Sequence, residues 1–213
     1  MWRNVMKSLH GPVYESRMRV LVREIMPHLK PGDRVLDVGC GFGTLGRRLL
    51  DAPNAPANLD VHGLERFARG GELIPVDAYE GGRMPYDDEA FDVVTIADVL
   101  HHEEDPAGLL AECARVARRL VIVKDHQRRG LLAQPRISFI DWAANAPYGV
   151  KCLYRYPTNE GWHELFAQVG LRVDEEQRAM NLYPPVVNLL FGRSLQYFAV
   201  LRPTKEAAVT SSA

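Results

Sequence analysis

At 213 residues, with 46% hydrophobic and 25% charged residues, the chain is long enough to bury a full core and has the composition of an ordinary soluble domain. A net charge of −1 removes any global electrostatic case for nucleic acid. The three cysteines, Cys40, Cys113 and Cys152, lie far apart with no C-x-x-C pair, which argues against a zinc site or disulfide framework and suits a reducing cytoplasm. No apolar run reaches the roughly 18 residues of a membrane span, and the N-terminus lacks a signal-peptide pattern. The expectation is one cytoplasmic domain over residues 1–203, with a helical N-terminal segment (1–30), an inserted lid (127–157) and a disordered tail (204–213).

Residues 1–30 carry Val13, Met18, Val20, Leu21, Ile25, Met26 and Leu29 among Arg17, Arg19, Arg23 and Glu24, a partly amphipathic helical pattern. Gly11-Pro12 is expected to divide it into two helices. The segment either packs on the sheet or caps a pocket; packing is the expectation. After Pro31-Gly32-Asp33 comes the stretch around which the chain is organised, Arg34-Val-Leu-Asp-Val-Gly-Cys-Gly-Phe-Gly-Thr-Leu-Gly46. Val35, Leu36 and Val38 suit a buried parallel strand. Gly39, Gly41, Gly43 and Gly46 then bring bare peptide N–H groups to a turn, and Leu45, Leu49 and Leu50 fall at helical spacing. The opening helix aims its positive dipole end at the same spot, which suits an anionic group. The Asp37 carboxylate suits a cationic one.

Val61–Glu65 reads as the second strand, with Glu65 at the position that accepts from ribose hydroxyls in doubly wound folds. Only a short connection, 66–71, follows it. Leu73–Val76 reads as a third strand, marked as an edge by Pro75. Phe91–Asp98 is a buried fourth strand, with Val99-Leu-His-His102 at its C-terminal end. Asp105-Pro106 starts a helix whose apolar face is Leu109, Leu110, Cys113, Val116, Ala117 and Leu120. Leu120–Val123 is the fifth strand, ending in Lys124-Asp125-His126. A helix through Trp162, Leu165, Phe166 and Val169 stops at Gly170, and Leu171–Val173 and Gln196–Leu201 are the last strands. Tyr183–Phe191 is apolar enough to pack on the lid.

The D-x-G-x-G-x-G of Asp37–Gly43 resembles motif I of the class I S-adenosylmethionine-dependent methyltransferases. That resemblance implies a doubly wound α/β fold with a seven-stranded, mostly parallel Rossmann-like sheet, whose last strand inserts antiparallel between the fifth and sixth. It implies an S-adenosylmethionine site formed by Asp37, Gly39, Cys40, Gly41, Thr44 and Leu45, by Glu65 and Arg66, and by Ala97 and Asp98. Met84-Pro85-Tyr86 stands where the family has a leucine-proline-aromatic signature preceded by an acid. This assigns adenine to Glu80 and the Gly81 amide, with Asp77 as the second choice; the family's usual acid is aspartate.

The resemblance implies methyl transfer to a small acceptor. His101, His102, Asp125 and His126 at strand ends are the candidates for the chemistry, with His126 or His102 as base and Asp125 orienting one of them. Adjacent histidines normally point apart, so no metal is expected. The insertion 127–157 carries Phe139, Trp142 and Tyr148, which are expected to cover an apolar or amphipathic acceptor. With no basic stripe nearby, nucleic acid is not expected as acceptor, and the sequence leaves the oligomeric state open. Two alternatives stand. Gly41-x-Gly43-x-x-Gly46 with Glu65 also fits a nicotinamide-dependent oxidoreductase, and the short second unit fits a non-catalytic S-adenosylmethionine-binding module.

Overall fold

The structure, a computed structural model, describes residues 2–66, 70–145 and 152–204. Seven strands form one sheet: β1 (Arg34–Val38), β2 (Asp60–Glu65), β3 (Val76–Ala78), β4 (Phe91–Ala97), β5 (Ala117–His126), β6 (Leu171–Gln177) and β7 (Gln196–Pro203). Their order is β3-β2-β1-β4-β5-β7-β6. The first five are parallel neighbours, and β7 runs antiparallel to both β5 and β6. This is the topology the motif resemblance implied.

The helices are α1 (Trp2–Ile25), α2 (Thr44–Asp51), α3 (Pro106–Val116), α4 (Ala133–Asn145), α5 (Asn159–Gln168) and α6 (Pro185–Phe191). They cover both faces of the sheet, so the central strands are apolar on both sides. The strand pleat sorts the core. Val35, Val93, Leu120, Ile122, Phe198 and Val200 join Met18, Leu21 and Ile25 of α1 and Leu45 and Leu49 of α2 on one face. Leu36, Val38, Val94, Ile96, Val121 and Val123 join Leu110 and Cys113 of α3 and Trp162 and Phe166 of α5 on the other. A smaller cluster of Ala133, Ile137, Tyr156 and Leu195 lies under α4.

Several boundaries differ from the sequence reading, among them β6, which runs to Gln177 instead of ending at Val173. Helix α1 runs through Pro12 without a break; a φ near −65° is compatible with the helix, and Gly11 and Pro12 are both exposed, so only one hydrogen bond is lost. Strand β3 starts at Val76 instead of Leu73: Pro75 has no N–H to give, and its carbonyl accepts from Gly63 N–H at 2.8 Å. Ala117 and Leu120 belong to β5, because α3 passes into the strand with Ala117 already extended (φ −84°, ψ 123°). Thr204, placed in the tail by sequence, is tied to the Gly170 carbonyl through its amide at 2.8 Å; residues 205–213 lie outside the described residues. The α3 cap matches the sequence signal at Asp105-Pro106, and Thr158, not read from sequence, caps α5 in the same way. Asp105 accepts from Gly108 N–H and Thr158 from Gly161 N–H.

Candidate active site

The glycine turn between β1 and α2 holds Gly39, Gly41 and Gly43 at φ of 68°, 59° and 74°. Gly39 also lies where a Cβ would stand 2.4 Å from Val99, so the turn is fixed by packing as well as by backbone conformation. Cys40, read from sequence as a small residue under a ligand, packs over Gly63 of β2: a Cβ there would meet its Sγ at 2.4 Å. Gly63→Ala should therefore cost about 1–3 kcal/mol by overpacking, and Cys40→Ala in the same chain should recover much of it. Denaturant midpoints of the four chains in this cycle check it; equal midpoints for Gly63→Ala and wild type would refute the packing.

Asp37, at the end of β1, is buried and accepts from Thr95 Oγ1 at 3.0 Å. Burial pushes its carboxyl up to about 7, against the Thr95 hydrogen bond and the charge of Arg17, which pull it down. The Glu65 carboxylate accepts from the amides of Gly41 and Arg66, each at 2.8 Å, which ties the end of β2 to the turn. Tyr79 N–H donates to the Glu65 carbonyl, so the segment carrying Glu80 and Gly81 starts beside the same strand end. Glu80 is exposed, whereas Asp77 accepts from Tyr86 Oη at 2.7 Å. Asp77 is exposed as well and keeps acceptor capacity, so both acids stay candidates for adenine. The Arg66 side chain pairs with Glu103 at 2.7 Å. Thr44 and Leu45 open α2, and Ala97 closes β4.

Asp98 follows β4 in a left-handed conformation (φ 58°), uncommon for a residue with a side chain. Its carboxylate receives Lys124 Nζ at 2.5 Å and Arg17 Nε at 2.8 Å, and His126 Nε2 lies 3.9 Å away. Burial opposes its ionisation, but Lys124 and Arg17 hold it well below the usual carboxylate range. Helix α1 thus both packs on the sheet and reaches the site through Arg17.

The candidate chemical groups gather beside this ion pair, with polar atoms of Asp98, His101 and Asp125 within 4.8 Å of one another. His101 Nδ1 and Asp125 Oδ1 are 2.6 Å apart. Asp141 Oδ1, from α4, lies 3.6 Å from His101 Nε2 and 3.7 Å from His102 Nε2. Tyr156 Oη donates to Asp141 Oδ2 at 2.5 Å. Burial alone would lower the His101 pKa; the charges and hydrogen bonds of Asp125 and Asp141 outweigh it and raise it to about 10. His126 is the reverse. Burial and Lys124 push it down to about 4, and its Nδ1 is buried without a hydrogen-bond partner among the described residues.

Asp125 orients His101, which corrects the expectation that it would serve His126 or His102. The pleat explains this: neighbouring residues on a strand face opposite ways, so Asp125 points with Val121 and Val123 and its neighbours Lys124 and His126 point with Ile122. The premise that adjacent histidines point apart also fails. The 3₁₀ turn Leu100–His102 brings the His101 and His102 rings to 4.0 Å between centroids.

Sequence reasoning missed Arg17, Lys124, Asp141 and Tyr156. A lysine in an otherwise apolar strand was a signal for Lys124. Asp141 falls four residues after Ile137 and eight after Ala133, on the buried face of α4, where a carboxylate needs a partner. Of the residues expected to cover the acceptor, Phe139 and Trp142 lie half-exposed on α4, and Tyr148 lies outside the described residues. Phe139 stacks on Phe191 of α6 at 5.7 Å, so the 183–191 segment does pack on the insertion.

The chain matches the model of the Methyltransferase domain family over residues 13–176, more than half its length. It belongs to this family, among the class I S-adenosylmethionine-dependent methyltransferases, and S-adenosylmethionine is its cofactor. The ubiquinone biosynthesis O-methyltransferase of Hahella chejuensis is 38% identical over 105 residues, 41% of this chain and 40% of that protein. Cycloartenol-C-24-methyltransferase 1 of Oryza sativa subsp. japonica is 32% identical over 99 residues, 42% of this chain and 29% of that protein. The chain thus matches less than half the length of these relatives. The S-adenosylmethionine-dependent methyltransferase structure from Mesorhizobium loti superposes with a TM-score of 0.62 at 16% identity, covering 91% of this chain and 99% of that one, a likeness of fold. The nicotinamide alternative does not fit the sheet, since antiparallel β7 between β5 and β6 supplies no second mononucleotide-binding half.

Proposed function

We propose that the chain transfers the methyl group of S-adenosylmethionine to an oxygen of a small, apolar or amphipathic acceptor held beneath α4. The observation that carries this reading is the cluster of His101, His102, Asp125, Asp141 and Tyr156. It sits at the C-terminal ends of β4 and β5, where ligands bind in open α/β sheets, and beside the glycine turn. Methyl transfer from a sulfonium is an in-line displacement, so the protein's main task is to hold donor and acceptor at near-attack distance. A hydroxyl acceptor must also lose a proton. His102, partly exposed beside Asp141, is better placed to take it than buried His126. The oxygen is suggested by the O-methyltransferase relatives. An apolar body for the acceptor is supported by Phe139, Trp142, Val186, Leu189 and Leu190, all exposed on α4 and α6.

Calorimetry with S-adenosylhomocysteine should show binding, and no heat at millimolar ligand would refute the cofactor site. Turnover of labelled S-adenosylmethionine with alkylated phenols tests the acceptor class. Trp142→Ala should then lower turnover at least tenfold with S-adenosylhomocysteine affinity kept. Lost thermal stability with turnover per folded molecule intact would instead make these aromatics a satellite core.

A further inference from the structure

We infer a divalent transition-metal site whose ligands are His101 Nε2, His102 Nε2 and Asp141 Oδ1. The three atoms lie within 4.8 Å of one another, with the carboxylate oxygen 3.6 and 3.7 Å from the two nitrogens. Ligands at about 2.0–2.2 Å from a tetrahedral zinc ion stand roughly 3.3–3.6 Å apart, which the two carboxylate–nitrogen distances nearly match, while the two imidazole nitrogens, within 4.8 Å of each other, have to close by up to about 1.5 Å. His101 and Asp141 are almost fully buried, and His102 is partly open, which leaves one side of the triad accessible.

The groups behind the ligands are arranged as a metal centre requires. His101 Nδ1 is held by Asp125 Oδ1 at 2.6 Å, which turns Nε2 toward Asp141, and an ion binding there displaces the Nε2 proton to solvent. The other oxygen of Asp141 is fixed by Tyr156 Oη at 2.5 Å. Asp125 Oδ2 is buried with no hydrogen-bond partner among the described residues. A second grouping, Asp98, His101 and Asp125, is the weaker candidate. Asp98 already carries Lys124 and Arg17, and the His101–Asp125 contact is itself a hydrogen bond.

Two imidazoles and one carboxylate with open positions suit zinc, iron(II), cobalt(II), nickel(II) or manganese(II) over magnesium or calcium, which take oxygen ligands. An ion here would face the acceptor under α4 and bind its hydroxyl oxygen, raising the acidity of that group; His102, engaged as a ligand, would then not serve as the base, and the metal would take over that task. The triad's geometry is independent of the cofactor site.

Chelator-treated protein titrated with cobalt(II) near neutral pH provides the test. One equivalent should produce visible ligand-field bands that zinc(II) abolishes. His102→Ala, at the partly exposed ligand, should weaken cobalt binding at least tenfold, and Asp141→Asn should do the same. His163→Ala, at an exposed histidine paired with Glu176, should leave the titration unchanged. Wild-type protein without bands in excess cobalt(II), or with bands that persist in both ligand variants, overturns the site. S-adenosylhomocysteine calorimetry on the same sample separates the two readings: cofactor binding without cobalt binding removes only the metal.

Discussion

Replacing Asp98 by alanine should cost the folded state about 3–5 kcal/mol, the largest stability effect expected of any single change at this site. Lys124 is almost fully buried, and Asp98 supplies its carboxylate partner at 2.5 Å while also binding Arg17. Without that carboxylate, an ammonium group is left in the sheet with only the weaker pull of Asp125 to compensate it. Burial already lowers the Lys124 pKa, against the pull of Asp98. Lys124→Met in the same chain should return much of the loss, because a well-packed apolar pair need not be less stable than a buried ion pair.

The pH dependence has a definite sign. Asp98 is held below the ordinary carboxylate range in the folded state. Its contribution is therefore present above about pH 4 and is lost as pH falls through that range toward the folded value. Urea denaturation of wild type, Asp98→Ala and the double variant at pH 7 and pH 4 would measure both effects. A cost under about 1 kcal/mol at pH 7 would mean that Lys124 finds another partner or water.

Cofactor affinity should rise with pH below about 7 and level off above it, and Asp37→Asn should abolish that dependence. Burial lifts the Asp37 carboxyl to about 7. In the folded protein without cofactor it keeps a proton that the unfolded chain has lost, so between about pH 4 and 7 its contribution opposes folding increasingly as pH rises. A cationic ligand end placed beside it favours the ionised form and must displace that proton. Affinity then climbs by up to about tenfold per pH unit until Asp37 is ionised on its own. Above pH 7, Asp37→Asn should weaken binding by about 2–3 kcal/mol, roughly thirty- to a hundredfold, through loss of a buried charge-assisted contact. At pH 5.5 the variant and wild type should nearly coincide. Glu65→Ala should weaken binding by a similar factor through the ribose. Calorimetry with S-adenosylhomocysteine across this range decides the matter, and unchanged affinity in both variants would mean that the cofactor lies elsewhere.

What was legible from sequence was local in origin. The β1 strand, its glycine turn and α2 follow from short-range chemistry: an apolar run, residues able to take positive φ, and leucines at helical spacing. The cap of α3 is likewise written at its start, in Asp105-Pro106. Proline was read too strongly at Pro12, where an exposed helix absorbs it, and too weakly at Pro75, which was placed inside an edge strand that begins only after it. The family motif then carried the reading from one strand-turn-helix unit to the whole sheet, including the antiparallel β7, which local pattern alone does not dictate.

The sequence by itself determined the sheet, the glycine turn with Asp37 and Glu65 at its flanks, and the presence of histidines and carboxylates at strand ends. Only the tertiary structure decided which of them meet. Arg17 reaches Asp98 across 81 residues of sequence, and Asp141 reaches His101 across 40. Asp125 serves His101 instead of His126 because the pleat sends adjacent side chains to opposite faces of the sheet. His101 and His102 converge because a 3₁₀ turn, entered from the left-handed Asp98, replaces the extended geometry that would have separated them. These pairings depend on crossing strands and on a helix returning over their ends, and no spacing along the chain encodes such distances.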